Sequence, residues 1–434
     1  MKTHTLLLLL LTTLSAELAG KNGERETTSH PLSLSEIMRA VSERNPSIEE
    51  ALRKWDAARQ RVIQEGAWDD LQFSGTTRAR RYVDIPPNAF TDQMLSVEQA
   101  IPISGKNRVR AQIATADAIT AFEQVRRQQL DVVTKARSAY FRLANASAQI
   151  ELNRKNYQSL TQIAEIGRSR YEAGTQTAAD VLLSETEAAK LLEVRRDLER
   201  NVATEQSQLN VLMNRDAFAP LVVSDDVSVG HREFSIANLR ASTLSNRPEI
   251  RAARARIAAG QASLRLAHRA WVPDPSVKIE GQRYNDAAQS LSELDAGISF
   301  SLPWGNPRKY SAGVTEARAN LAAAQAALER TETEAIGSLR DALQNVNTTH
   351  HHVELFRDNL VPKARQTFQA SQLAYESGQA SFAEWIVVQR TLRDIEAEAR
   401  MHLTNYQIAL AELESVVGAD LNIFPPSNRQ PNPK

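Results

Sequence analysis

Hydrophobic spacing changes period along the chain, and the changes mark out helices and strands. After Pro102 no proline occurs before Pro220, and no glycine lies between Asn107 and Ile166, so nothing there forces a helix to stop. Within that span Ala136, Leu143, Ile150, Tyr157, Ala164 and Tyr171 recur every seven residues, the seam of a coiled coil. The spacing predicts one helix over 104–172, roughly 100 Å long. Upstream, past Trp68, the period falls to two. Leu71, Phe73, Gly75 and Thr77 alternate with Gln72, Ser74, Thr76, Arg78 and Arg80; after a turn at Ile85-Pro86-Pro87-Asn88, Leu95, Val97 and Ile101 alternate with Ser96 and Glu98. This predicts a β-hairpin over 70–103 with one apolar and one polar face.

The whole pattern occurs twice. Asn45-Pro46-Ser47-Ile48 answers to Arg247-Pro248-Glu249-Ile250, Ala67-Trp68 to Ala270-Trp271, Ile101-Pro102 to Leu302-Pro303, and Tyr171-x-x-Gly174 to Tyr375-x-x-Gly378. A second hairpin is expected over 275–303, with Val277, Ile279, Ala296, Ile298 and Phe300 apolar against Lys278, Glu280, Asp295 and Ser299. A second long helix is expected over 308–373, with Val314, Leu321, Leu328, Ala335 and Ala342 on its seam and a bend at Pro362. Each long helix ends at a glycine that can take a left-handed terminal turn, followed by a polar link into a returning helix half as long. Short helices near 35–66 and 236–270 can stack end to end with the returning ones, and Ser33-x-x-Glu36 and Ser47-x-x-Glu50 have capping-box spacing.

The expected organisation is therefore a signal peptide over 1–20, a first repeat over 33–214, a linker over 215–234, a second repeat over 235–418 and a proline-rich disordered tail over 419–434. The fold class is mainly α with a β-barrel portion. Four strands of membrane-spanning length cannot close a barrel, so the chain must oligomerise, with lipid facing the apolar set and a wet lumen facing Arg78, Arg80, Glu98, Lys278 and Glu280. The alternative is a secreted coiled-coil scaffold with soluble hairpins.

Composition narrows the chemistry. Lysine plus arginine and aspartate plus glutamate both number 52, so no basic excess calls for nucleic acid. Cysteine is absent, which excludes disulfides, thiolate metal sites and an acyl anchor on cysteine. No phosphate loop, zinc-ligand spacing or nucleophile motif occurs, so neither an enzyme nor a cofactor is expected. His350-His351-His352 invites a metal reading, but consecutive helical residues point about 100° apart and cannot all reach one ion.

The signal sequence, the doubled helix–hairpin–long-helix unit, the Ile101-Pro102 and Leu302-Pro303 corners and the tip segments Tyr171 to Leu182 and Tyr375 to Ile386 together resemble the outer-membrane efflux proteins of the TolC type. The resemblance covers about residues 33 to 418. It implies a trimeric 12-stranded barrel in the outer membrane, continued by an α-helical periplasmic tunnel. It further implies a passive exit duct for small molecules or metal cations, partnered by a periplasmic adaptor and an inner-membrane pump of the resistance-nodulation-division type. Ile101 to Arg108 resembles the branch serving heavy-metal pumps; an exit duct for type I protein secretion is the alternative within the family.

On this resemblance Gly174, Thr175, Gln176, Thr177, Gly378, Gln379, Ala380 and Ser381 are candidate adaptor contacts. Asp180 and Glu384 either cap the returning helices or help close the tunnel through Arg168 or Arg170. Gln366, Gln369 and Gln372 stand where some relatives carry acidic residues, which argues against a cation-selective ring. Trp68 and Trp271 fall at the expected membrane boundary, as anchors or as corner packing.

Overall fold

The computed structural model describes residues 31–77, 91–225, 234–284 and 291–419. The expected leader, Arg78 and Arg80, the turn at 85–88, part of the linker and the tail from 420 lie outside the described residues.

Helix α1 (Leu34–Arg44) opens on the expected capping box: the Ser33 hydroxyl accepts from the Glu36 amide, and the Glu36 carboxylate accepts from the Ser33 amide at 2.8 Å. Helix α2 (Pro46–Gly66) does not use the Ser47–Glu50 box. Its N-cap is Asn45, whose Oδ1 accepts the Ser47 amide at 3.0 Å, because Pro46 occupies the first helical position, where an N–H would be unpaired. The other end of the same side chain donates to the Leu212 carbonyl at 2.8 Å. That carbonyl ends the returning helix α4 (Ala178–Leu212), so α2 continues α4 end to end.

The second half makes the same join differently. Helix α9 (Phe382–Val417) stops at Gly418 with φ 74°, and a Cβ there would sit 3.1 Å from Arg247 Cα. Arg247 caps helix α6 (Pro248–Arg269), which follows α5 (Ile236–Asn246). Only glycine suits both the left-handed turn and the close approach.

The descending columns are longer. Helix α3 (Lys106–Glu172) runs unbroken for 67 residues, about 100 Å. Its counterpart is divided into α7 (Pro307–Leu355), a five-residue π turn (Phe356–Leu360) and α8 (Val361–Glu376). The backbone widens just before Pro362, rather than forming one helix bent there. Proline has no N–H for the carbonyl one turn back and its ring presses on that carbonyl; a π turn relieves both.

The predicted seams hold only in part. In α3, Ala136 and Leu143 are buried, Ile150, Tyr157 and Ala164 are half-buried, and Tyr171 is exposed. The row three residues on, Ala139, Ala146, Asn153, Leu160 and Gly167, is buried throughout. These are the two core rows of one heptad. An α-helix drifts about 20° per heptad against a 3.5-residue repeat, so one row cannot stay central along such a length. In α7 likewise, Leu339, Val346 and Val353 are buried where Ala342 is only half-buried.

Three apolar clusters follow the axis. The first packs Ile37 and Val41 of α1 with Tyr140 and Leu143 of α3 and Leu209 of α4. The linker joins it: Leu32 donates to the Val222 carbonyl at 2.9 Å, and the Tyr140 hydroxyl donates to the Ser224 carbonyl at 2.7 Å. The second packs Leu239, Val346, Val353, Tyr406 and Leu413 of the second repeat. The third, at the tips, draws on both repeats.

Strands β1 (Gln72–Thr77), β2 (Thr91–Ala100), β3 (Pro275–Tyr284) and β4 (Glu293–Phe300) form one antiparallel sheet in the order β1-β2-β3-β4. Where the halves meet, Asp274 accepts from the Ser104 amide and hydroxyl, each at 2.8 Å, and from Lys106 at 2.9 Å. Arg269 donates to the Gly105 carbonyl at 2.7 Å. Burial pushes the Asp274 carboxyl up, but these donors outweigh it and hold it below the usual range.

Leu209 is wholly buried, whereas Leu182 on the same helix is 61% exposed. Leu209→Ala is expected to cost about 2–5 kcal/mol and Leu182→Ala under about 1 kcal/mol. Denaturant titration of the two variants in detergent compares them directly.

Candidate functional site

Two regions hold the residues singled out from the sequence: the sheet and the helical tips. In the sheet, Phe73 faces Val97, Val97 faces Ile279 and Ile279 faces Ala296, so one face is a continuous apolar surface. No described residue covers it. Phe73 and Ile298 are each 71% exposed, and Leu95, Leu294 and Phe300 are exposed with them. Contiguous exposed apolar area of this kind marks an interaction surface.

The opposite face is polar. Glu98 stands directly across from Lys278, which ion-pairs with Glu280. Gln282 donates to Glu280 at 3.1 Å and to Asp295 at 2.9 Å. The structure thus gathers Glu98, Lys278 and Glu280 on one face. Asp295, directly opposite Glu280, belongs with them; the alternation places it there, although charge type alone did not single it out. Trp68 is 61% exposed, while Trp271 packs its ring 5.5 Å from that of Tyr310.

At the tips, Gly174 (φ 76°) and Gly378 (φ 74°) take the left-handed conformation that turns the chain. Thr177 with Asp180, and Ser381 with Glu384, form reciprocal capping boxes at the starts of α4 and α9. Hydrogen bonds from the Ser381 amide and hydroxyl hold the Glu384 carboxyl below its ordinary range. Arg168 pairs with Glu185 at 2.9 Å rather than with Asp180, and Arg170 lies over the Tyr375 ring at 4.9 Å. Gln176 accepts from the Tyr375 hydroxyl at 3.1 Å, so the two tips of one chain are tied together. Gly174, Thr175, Thr177, Gly378, Gln379 and Ser381 remain exposed.

An aromatic cluster behind the tips escaped the sequence reading. Tyr375 stacks on Trp385 at 5.1 Å, Phe382 meets both edge-on, and Phe368 closes the group. Its members sit seven residues apart from Phe368 to Phe382, on either side of a turn, and only that turn's geometry brings them together.

His350 and His352 pack against neighbouring rings, while His351 is exposed. His350 lies 3.6 Å from Glu354 and against Tyr406, whereas His352 meets His402 edge-on at 4.8 Å beside Phe356. Among the described residues no three His, Asp or Glu side chains are gathered to hold a metal. Burial, and then His352, push the His402 imidazole below its ordinary value, with Glu398 opposing.

The model of the family described as outer membrane efflux protein matches residues 38–215 and 239–419. The toluene efflux pump outer membrane protein TtgF of Pseudomonas putida is 25% identical over 335 residues, covering 73% of this chain and 68% of its own. The pyoverdine export outer membrane protein OpmQ of Pseudomonas putida is 22% identical over 387 residues, covering 88% and 80%. In fold the chain is similar to the outer membrane protein VceC of Vibrio cholerae, with a TM-score of 0.76 at 20% identity over 89% of this chain and 96% of that one.

Trp385 is 6% exposed, and Trp385→Ala is expected to cost about 3–5 kcal/mol locally. Hydrogen exchange should then quicken across 368–386 and stay unchanged around Tyr140. The His402 shift fixes a sign for pH. The folded chain binds its proton less well than the unfolded one, so stability falls as pH drops below about 6.5 and levels off beneath the lowered folded value. His402→Gln should flatten that part of a melting-temperature profile.

Proposed function

The chain belongs to the outer membrane efflux protein family, an outer-membrane exit duct with its helices in the periplasm, and on that footing we propose that three copies share one barrel and one tunnel. Each copy contributes four strands and four helical columns: α3, α4 with α2, α7 with α8, and α9 with α6. The apolar sheet face meets lipid, and Glu98, Lys278, Glu280 and Asp295 line the water-filled lumen. The observation that carries this is the sheet itself, which among the described residues is apolar and uncovered on one face, charged on the other and without a strand partner at either edge. A secreted scaffold would have no use for that asymmetry.

The exposed tip residues Gly174, Thr175, Thr177, Gly378, Gln379 and Ser381 dock a periplasmic adaptor, with Gln176 and Ala380 behind them, and the adaptor joins an inner-membrane pump of the resistance-nodulation-division type. Asp180 and Glu384 act in this reading as helix caps, which their reciprocal bonds support. The cargoes for which the two relatives are named, toluene and pyoverdine, favour small molecules over secreted proteins. The heavy-metal branch rests on Ile101 to Arg108 alone, where Lys106 is already engaged by Asp274. Transport is passive, and no enzymatic step is assigned to the chain.

Ile298→Lys and Val97→Lys place a charge on the lipid face, at a depth-dependent cost of up to about 2–4 kcal/mol in each copy. Both variants are expected to fail to reach the outer membrane as trimers and to leave the cells sensitive to exported compounds. Normal assembly of both would overturn the barrel reading. Lys278→Gln, on the lumen face, should assemble normally.

A further inference from the structure

The duplication allows the one seam missing from a single chain to be specified residue by residue. Among the described residues β1 and β4 each have a strand partner on one side only. In a bilayer, backbone N–H and C=O groups that point out of a sheet edge have no water to bond, so each edge needs a partner strand. The chain already contains a seam of the same kind, between β2 and β3, where the second strand of one repeat meets the first strand of the other. Between copies, β4 and β1 stand in that relation.

Correspondence between the repeats fixes the register. Ile101-Pro102 matches Leu302-Pro303, and the long helices start together at Lys106 and Pro307, so Val97, Glu98 and Gln99 correspond to Ile298, Ser299 and Phe300. Glu98 faces Gln72 in the first hairpin and Ser299 faces Ser276 in the second. Gln72 therefore corresponds to Ser276, and by the same step Phe73, Ser74 and Gly75 correspond to Val277, Lys278 and Ile279. Inside the chain Gln99 faces Val277, Glu98 faces Lys278 and Val97 faces Ile279.

From this we infer that, in the trimer proposed above, Phe300 pairs with Phe73 of the next copy, Ser299 with Ser74 and Ile298 with Gly75. The side chains agree with the arithmetic of the backbone. Because the pleat has period two, any other register that keeps both faces must slip by an even number of residues, at least two. A slip one way sets Phe300 against Gly75 of the next copy; the other way sets it against Leu71. Only the inferred register brings the two exposed edge phenylalanines face to face, on the lipid side, where aromatic cross-strand pairs stabilise sheets. On the lumen side it sets Ser299 beside Ser74, extending the hydroxyl contact that Ser74 makes with Ser96 at 2.8 Å.

The absence of cysteine makes a clean test possible. In the β2–β3 seam the Ile101 amide donates to the Pro275 carbonyl at 2.8 Å, so Glu98 and Lys278 form a non-hydrogen-bonded pair. Ser299 and Ser74 of the next copy inherit that geometry, with Cα atoms about 4.5 Å apart, within disulfide reach. In one chain the two positions lie three strand spacings apart, about 14 Å, so a bond between them can form only between copies. S74C/S299C is expected to oxidise in isolated outer membranes to covalent trimers on non-reducing gels, at least about tenfold faster than T76C/S299C or Q72C/S299C. Faster cross-linking of either slipped pair would overturn the register. The same variants, reduced and run on native gels, report the assembly separately. A trimer in which S74C/S299C stays uncoupled refutes the register alone, and a monomer refutes the shared barrel as well.

Discussion

Among the described residues the four-stranded sheet has one bare apolar face and two bare edges, and the architecture follows from how these are satisfied. In water it would expose Phe73, Leu95, Ile298 and Phe300 to solvent; in lipid the face is satisfied but the edges are not. Closure with other copies answers both problems. The length of the helices follows from the same geometry. Each strand column must be continued by helix if the wall of the barrel is to become the wall of a tunnel, and α3 and the α7–α8 segment each descend from the end of a strand without interruption by a loop domain.

The returning columns approach that length by another route. Two short helices abut end to end, through Asn45 and the Leu212 carbonyl in one repeat and through Gly418 against Arg247 in the other. These joins rest on a side-chain amide and a glycine rather than on continuous backbone, so each returning column is built from two helices. The descending columns differ in turn. Only the second carries a π turn, at Phe356–Leu360, so the two halves of a duplicated chain are not mechanically equivalent.

Much of this architecture was legible in the order of residues, because the signals are local. The proline-free run after Pro102 requires a helix, the alternation around Val97 and Ile298 requires strands, and Gly174 and Gly378 mark turns. For Asp180 and Glu384 the order of residues leaves capping and tunnel closure both open, and the reciprocal bonds with Thr177 and Ser381 favour capping. What stayed hidden depends on packing between distant segments. Which of two heptad rows is central in α3 is decided by the neighbouring columns, not by the row itself. The choice of Asn45 over Ser47 as a cap depends on Pro46, and the pairing of Arg168 with Glu185 depends on how α4 folds back. The aromatic group of Phe368, Tyr375, Phe382 and Trp385 exists only because a turn folds one helix against the next.

Electron microscopy of the detergent-extracted protein bears most directly on the shared barrel. A threefold particle with a single detergent belt and a hollow rod of roughly 100 Å extending from it is the predicted result. Single-chain particles, or a rod recovered without detergent and lacking a belt, would contradict it.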